Sequence, residues 1–189
     1  GYGDYGTPEQ GVPVNVPENP YWELCMTMND SWGYQPNDHN LKTAYQLIGT
    51  FVDCISKGGN LLLDVGPRED GTLPQEEINI LKAFAIWTSK HQEAIYGTRK
   101  GIPEGHFFGR TALSKNGRTL YLYLDHLPYE SFQVKGLDSE IKKVRIVGSE
   151  IEPTIKKENI AGSFSIHIPQ KAADPVMTVV AIDFAEPLK

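Results

Sequence analysis

A nearly unbroken apolar run, Leu61-Leu62-Leu63-Asp64-Val65, stands between Gly58-Gly59 and Gly66-Pro67. A short run of that kind, bounded by turn formers, is what a strand covered on both faces looks like. Such strands belong to parallel sheets with helices packed on them. The flanking sequence supplies the helices. Upstream, Leu41, Ala44, Tyr45, Ile48, Phe51, Val52 and Ile55 fall at helical spacing. Asp38 or Asn40 stands ready to cap that helix, and Gly58-Gly59 can end it in a left-handed conformation. Downstream, Thr72 and Gln75 have capping-box spacing and Pro74 falls in the first turn. Ile78, Ile80, Leu81, Phe84, Ala85 and Trp87 then form a broad apolar face. Before all this, YWELCMTM at 21–28 reads as a mostly buried strand. The order strand, helix, strand, helix makes the first hundred residues a βαβα segment.

The character of the chain changes near residue 100. After the Gly/Pro-punctuated AIYGTRKGIPEG come short alternating runs, beginning with a hairpin signal at Asn116-Gly117. FQVKGL, KKVRIVG, FSIHIP and MTVVAIDF follow, each separated by turn residues, the pattern of a small antiparallel β-sandwich. The expected organisation is therefore α/β plus all-β, with domains at 1–100 and 101–189. With 40 % hydrophobic residues the chain can build a real core in each. Two parallel strands on their own would leave both sheet edges open. A complete (β/α)8 barrel takes about 250 residues. Residues 1–100 are accordingly expected to be the C-terminal part of a larger (β/α)8-type barrel, and the chain a fragment.

Several functions are set aside at this stage. A net charge of −6 offers no footprint for nucleic acid, and no apolar run is long enough to span a membrane. The chain has no basic-then-apolar leader, although a start at Gly1 leaves open a removed signal. His39, His91, His106, His126 and His167 are scattered, so neither a metal nor another cofactor is expected. Lys57-Gly58-Gly59-Asn60 looks like a phosphate cradle but sits at a helix C-terminus, whose dipole repels anions. Cys25 and Cys54 read as two buried thiols, and Asn29-Asp30-Ser31 is a glycosylation sequon of the kind that arises by chance. The carboxylates Asp4, Glu9, Glu23, Asp30 and Asp64 remain. Glu23 lies inside a strand of large residues and must be paired or line a wet cavity. Trp22, Trp32 and Tyr34 flank it, either as a sugar-binding platform at strand ends or simply as core.

Three blocks carry more information together than any of these residues alone. WELCMTMNDSWGY, SKGGNLLLDVGPREDGTLP and EAIYGTR, in this order across residues 22–99, closely resemble the retaining α-L-fucosidases of glycoside hydrolase family 29. The resemblance implies hydrolysis of terminal α-L-fucose from glycans and glycoconjugates through a fucosyl-enzyme intermediate, with no cofactor. It implies a nucleophilic aspartate on an earlier barrel strand, upstream of Gly1, so that the N-terminal part of the barrel is a required partner and the fragment alone is inactive. The loop DYGTPEQ matches the family's acid/base loop, which makes Glu9 the general acid/base; Glu18 in PENP is the weaker candidate. Such a residue is protonated when it donates to the departing oxygen and ionised when it activates water. Trp32 matches the aromatic that packs on the C6 methyl group of fucose, and Glu23 is assigned to substrate orientation or to pairing inside the barrel. Relatives are secreted, periplasmic or lysosomal. The other class of function open to the chain is a non-catalytic carbohydrate-binding protein on the same scaffold.

Overall fold

The computed structural model describes residues 3–188. The chain divides into two compact units, Gly1–Ser89 and Lys90–Lys189. The division falls before the 100/101 boundary read from sequence. Three residues of the supposed linker, Thr98–Lys100, form a strand that pairs with the second unit's sheet.

In the first unit, strand β1 (Glu23–Thr27) is followed by helix α1 (Ala44–Ser56), strand β2 (Asn60–Asp64) and helix α2 (Gln75–Lys90). The two strands pair parallel in one register, Glu23 with Asn60 through Thr27 with Asp64. Helix α1 starts later than expected. Its cap is Thr43, whose hydroxyl accepts from Gln46 N–H while the Gln46 side chain accepts from Thr43 N–H. Asp38 is instead occupied by the preceding loop. The helix ends as predicted, with Gly58 at φ +78° and Gly59 N–H returning to Cys54 O. At α2 the expected capping box does not form, because the Thr72 hydroxyl turns back to Asp70 and the first turn closes on the Pro74 carbonyl.

One face of the β1–β2 pair carries the core. Leu24, Met26 and Met28 pack with Leu47 and Cys54 of α1 and with Leu61, Leu63, Ile80, Leu81 and Phe84. The close packing extends to the turn after α1. A Cβ on Gly59 would lie 2.2 Å from the buried Trp22 ring, so only glycine fits there. The other face is open, contrary to the reading of β2 as covered on both sides: Leu62, in the middle of the strand, is 52 % exposed. Cys25 is half-buried rather than buried, and Cys54 is buried; both thiols are free.

The second unit opens with a single 3-10 turn, Gln92–Ala94, and contains strands β3 (Thr98–Lys100), β4 (Arg110–Ser114), β5 (Thr119–Leu124), β6 (Phe132–Val134), β7 (Ile141–Ile146), β8 (Thr154–Lys157), β9 (Phe164–His167) and β10 (Thr178–Phe184). They form two antiparallel sheets, β3-β4-β5-β10-β7 and β6-β9-β8. Leu120, Leu122, Val180 and Ile182 of the larger sheet share one core with Phe132, Val134, Phe164 and Ile166 of the smaller. The expected Asn116-Gly117 hairpin joins β4 to β5, with Gly117 at φ +71°. On the opposite face of the larger sheet Tyr121 and Tyr123 are buried, and the Tyr123 hydroxyl donates to the Ala94 carbonyl. Both faces of β5 and β10 are thus covered, which accounts for their continuous apolar character.

Candidate active site

The sheet of the first unit is wider than its two ladder strands. Gly6 bridges Trp22 and Glu9 bridges Cys25, both in the parallel sense. Cys25 N–H donates to Pro8 O at 3.0 Å and Gln10 N–H donates to Cys25 O at 2.8 Å. Residues 6–9 therefore run beside β1 as a third parallel segment, on the edge away from β2. Sequence reading took this stretch for a loop, since Gly, Thr and Pro give it no apolar alternation. The backbone hydrogen bonds make it an extension of the sheet and fix the Cα of Glu9 opposite that of Cys25.

Strand alternation then sorts the side chains. Leu24 and Met26 take the helix side, so Glu23, Cys25 and Thr27 take the other, together with their partners Asn60, Leu62 and Asp64. Glu9, level with Cys25, belongs to the same open face. The Cys25 thiol registers the crowding. Burial raises it first, and the carboxyls of Asp64, Glu9 and Glu23 raise it further, so it is a poor nucleophile. The register puts Glu9, Glu23 and Asp64 on one face of the sheet. Sequence analysis gives Asp64 no role in the site, although its place two residues beyond Leu62 in β2 is the available signal. Glu9 is exposed in this chain, without the dry surroundings expected of a proton donor. Glu18 lies in the irregular segment between the Glu9 bridge and β1, outside the sheet.

Trp32 stands in the connection that leaves the C-terminal end of β1, and is 50 % exposed. That connection is ordered by Asp38, which accepts from Ser31 Oγ at 2.7 Å and from Asp30 N–H and Asn40 N–H, both at 3.1 Å. The Ser31 bond does most to hold the Asp38 carboxyl below its usual range. A second anchor comes from Gly66, just past β2. Its N–H donates to both carboxyl oxygens of the buried Glu77, and a Cβ there would sit 3.1 Å from Tyr34 N. A cleft of about 200 Å³ opens beside this connection, lined by Asn29, Tyr34, Asp38, His39, Arg68 and Glu77 among others. The Arg68 guanidinium lies over the Tyr34 ring, 5.7 Å from its centroid. Asp64 at the end of β2, Glu9 level with Cys25 two residues before the end of β1, and the exposed indole of the next connection thus lie toward the C-terminal ends of parallel strands. That is where β/α enzymes carry their chemistry, whereas Glu23 opens β1 at the other end.

Comparisons with known proteins place this architecture among glycoside hydrolases. The alpha-L-fucosidase family model matches residues 1–93. An alpha-L-fucosidase of Dictyostelium discoideum is 33 % identical over 120 residues, covering 58 % of this chain and 26 % of that protein. The tissue alpha-L-fucosidase of Mus musculus is 26 % identical over 195 residues, covering 99 % of this chain and 41 % of that protein. Among solved structures, alpha-L-fucosidase isoenzyme 1 from Paenibacillus thiaminolyticus superposes with a TM-score of 0.86 at 28 % identity, over 97 % of this chain and 45 % of that one. By its first 93 residues the chain belongs to the alpha-L-fucosidase family. It spans less than half the length of each of these relatives.

Proposed function

We propose that this chain is the C-terminal part of a retaining α-L-fucosidase, and that Glu9 is its general acid/base. In this reading residues 6–9, β1 and β2 are the last strands of a (β/α)8 barrel. The strands that cover the open face around Leu62 come from sequence upstream of Gly1, and so does the nucleophilic aspartate. The observation that carries the reading is the position of Glu9. It is bridged to Cys25 on the open face, near the C-terminal end of the parallel sheet whose next connection bears Trp32.

The chemistry follows from that placement. The upstream aspartate attacks the anomeric carbon of a terminal fucose while protonated Glu9 gives its proton to the glycosidic oxygen. The C–O bond breaks, the aglycone leaves as an alcohol, and fucose remains esterified to the aspartate. Glu9, now a carboxylate, takes a proton from the water that attacks the same carbon, releasing fucose with its configuration retained. The two carboxyl groups of such a pair stand about 5–5.5 Å apart. Trp32 packs on the C6 methyl group. That contact favours a 6-deoxy sugar over its hydroxylated analogue by roughly 1–3 kcal/mol, since an apolar contact rejects a hydroxyl only modestly. Glu23 orients the sugar from the inner face, and the substrates are fucosylated glycans, met outside the cell or in lysosomes.

The test uses the longer protein that carries this segment. It should cleave an aryl α-L-fucoside, and Glu9→Gln should slow fucosides with poor leaving groups far more than activated ones. Equal slowing of both, or none, would remove Glu9 from the role. A parent chain that binds fucose without cleaving it, and has no aspartate at an upstream strand end, would point to the carbohydrate-binding alternative. The 189-residue chain by itself should show no turnover.

A further inference from the structure

We infer that Gln10 is a positioning residue for Glu9, holding the acid/base against β1 through a strained turn; the inference rests on the role proposed for Glu9. Gln10 is the single non-glycine residue at positive φ among the described residues, at +60°. Gly11 N–H closes on the Glu9 carbonyl at 2.7 Å, so Gln10 is the centre of a three-residue turn of the rare, strained hand. A glycine meets that conformation at little cost, and one stands at the next position, Gly11, with nothing within 4 Å of where its Cβ would be. The sequence nevertheless keeps a side chain at the strained position, and the structure shows what that side chain does.

The Gln10 amide oxygen accepts from Thr27 N–H at 3.3 Å. The Thr27 hydroxyl lies 3.2 Å from the same oxygen and also against the Asn29 carbonyl, with one proton for the two. Thr27 is fully buried, at the end of β1, two residues past the partner of Glu9. With its own N–H on Cys25 O, Gln10 grips β1 at two successive inward positions. Glu9 is held from both sides, by Pro8 O on Cys25 and by this double grip. The same tether reaches the first residues of the connection that carries Trp32. Strained residues persist where the surroundings over-determine them, and they cluster at sites whose geometry matters.

A turn-forming role alone and a positioning role predict opposite results for Gln10→Gly in the longer enzyme. Glycine relieves the strain of the turn while the buried Thr27 N–H loses its acceptor, so thermal stability should stay level or fall in both cases and does not separate them. If Gln10 positions Glu9, the step that needs the proton suffers. We expect kcat/KM on a fucoside with a poor leaving group to fall about ten-fold or more, because misplacing a catalytic group by about 1 Å costs on the order of a hundred-fold. Hydrolysis of 4-nitrophenyl fucoside should stay within about three-fold, since an activated leaving group needs little of the 10²–10⁴-fold that a general acid contributes. Gln10→Met keeps the size and the strained backbone but removes the acceptor; it should give the same selective loss, and replaces the glycine variant if that one fails to fold. Parental leaving-group dependence in the folded variant overturns the inference. Glu9→Gln, measured alongside, separates the two levels. If it lacks the leaving-group signature, the role of Glu9 falls; if it has the signature and the Gln10 variants do not, only this inference falls.

Discussion

The contact between Glu77 and Gly66 allows a quantitative test of how the Trp32 connection is held. Glu77 is 3 % exposed, and its two carboxyl oxygens lie 3.1 and 3.3 Å from Gly66 N. Replacement by alanine removes both acceptors and leaves a buried N–H with none. A hydrogen bond to a charged group contributes about 1.5–3 kcal/mol, and leaving the donor unsatisfied costs about 1–3 kcal/mol. These are two views of one loss. Relief of the buried carboxyl's desolvation offsets part of it, which sets Glu77→Ala at about 2 kcal/mol. With a urea slope of about 2 kcal/mol/M, the unfolding midpoint drops by about 1 M. Glu77→Gln keeps one acceptor oxygen in place and should lose less than half as much. Gly66→Ala attacks the same contact from its other side. Its Cβ would meet Tyr34 N at 3.1 Å and Tyr34 Cα at 3.2 Å, backbone atoms that cannot rotate away. All three are read by urea titration followed through tryptophan fluorescence. An alanine variant within about 0.2 M of the parent, below about 0.5 kcal/mol, would mean that the Glu77 bond contributes nothing net and that the connection is held by other contacts.

Three further expectations concern stability. Gly59→Ala places a methyl group 2.2 Å from Trp22 Cε2 and should cost about 1–3 kcal/mol or more, measured as a lower thermal midpoint. Tyr123→Phe removes the donor to the Ala94 carbonyl and should cost about 1–2 kcal/mol in urea, with no change in secondary structure by circular dichroism. Burial alone would raise Asp174, but Lys90 Nζ at 2.7 Å and the N–H groups of Val176 and Met177 outweigh it, so the carboxyl lies below its ordinary range. A carboxyl depressed in the folded state stabilises the fold above its unfolded value of about 3.9, and that contribution is lost as pH falls through the lower folded value. Asp174→Asn should therefore destabilise at pH 6 and flatten the acid limb of a pH–stability curve; an unchanged acid limb would assign no part of that slope to Asp174.

What the sequence revealed tracks how much of each element is decided locally. Helix α1 was legible because seven apolar residues keep one spacing, yet its first turn was not. Thr43 and Asp38 are equally good caps by composition, and Asp38 is taken by Ser31 and Asp30 in the connection before the helix. The hairpin at Asn116-Gly117 was legible because its turn needs positive φ at Gly117. Strands β3 and β8 were not. Thr98-Arg99-Lys100 and the wholly exposed Thr154–Lys157 have no buried face to leave a pattern, and they are strands only because β4 and β9 present partners. Leu61-Leu62-Leu63 gave the reverse error. The run says that both faces of β2 are apolar, and the described chain covers one.

The same distinction governs the site. Glu23 fell on the open face by alternation alone, and Trp32 came with the connection after β1. Glu9 gave no such signal, since a bridge made by Pro8 O and Gln10 N–H uses backbone that every sequence possesses. Yet that bridge changes what Glu9 can do. On the proposed reading its partner carboxyl must come within about 5–5.5 Å and stay there through two chemical steps. A side chain on a free loop meets that spacing only at an entropic cost on every turnover. Neighbouring strands lie about 4.7–4.9 Å apart, so two carboxyls at one level of adjacent parallel strands approach the required separation with the backbone already paid out as sheet. Among the described residues no strand pairs with the edge of the 6–9 segment away from β1, and such a neighbour would pair there. Under the proposed role of Glu9, holding it in the sheet rather than in a loop is thus the feature that would let a parallel scaffold serve a two-carboxylate mechanism.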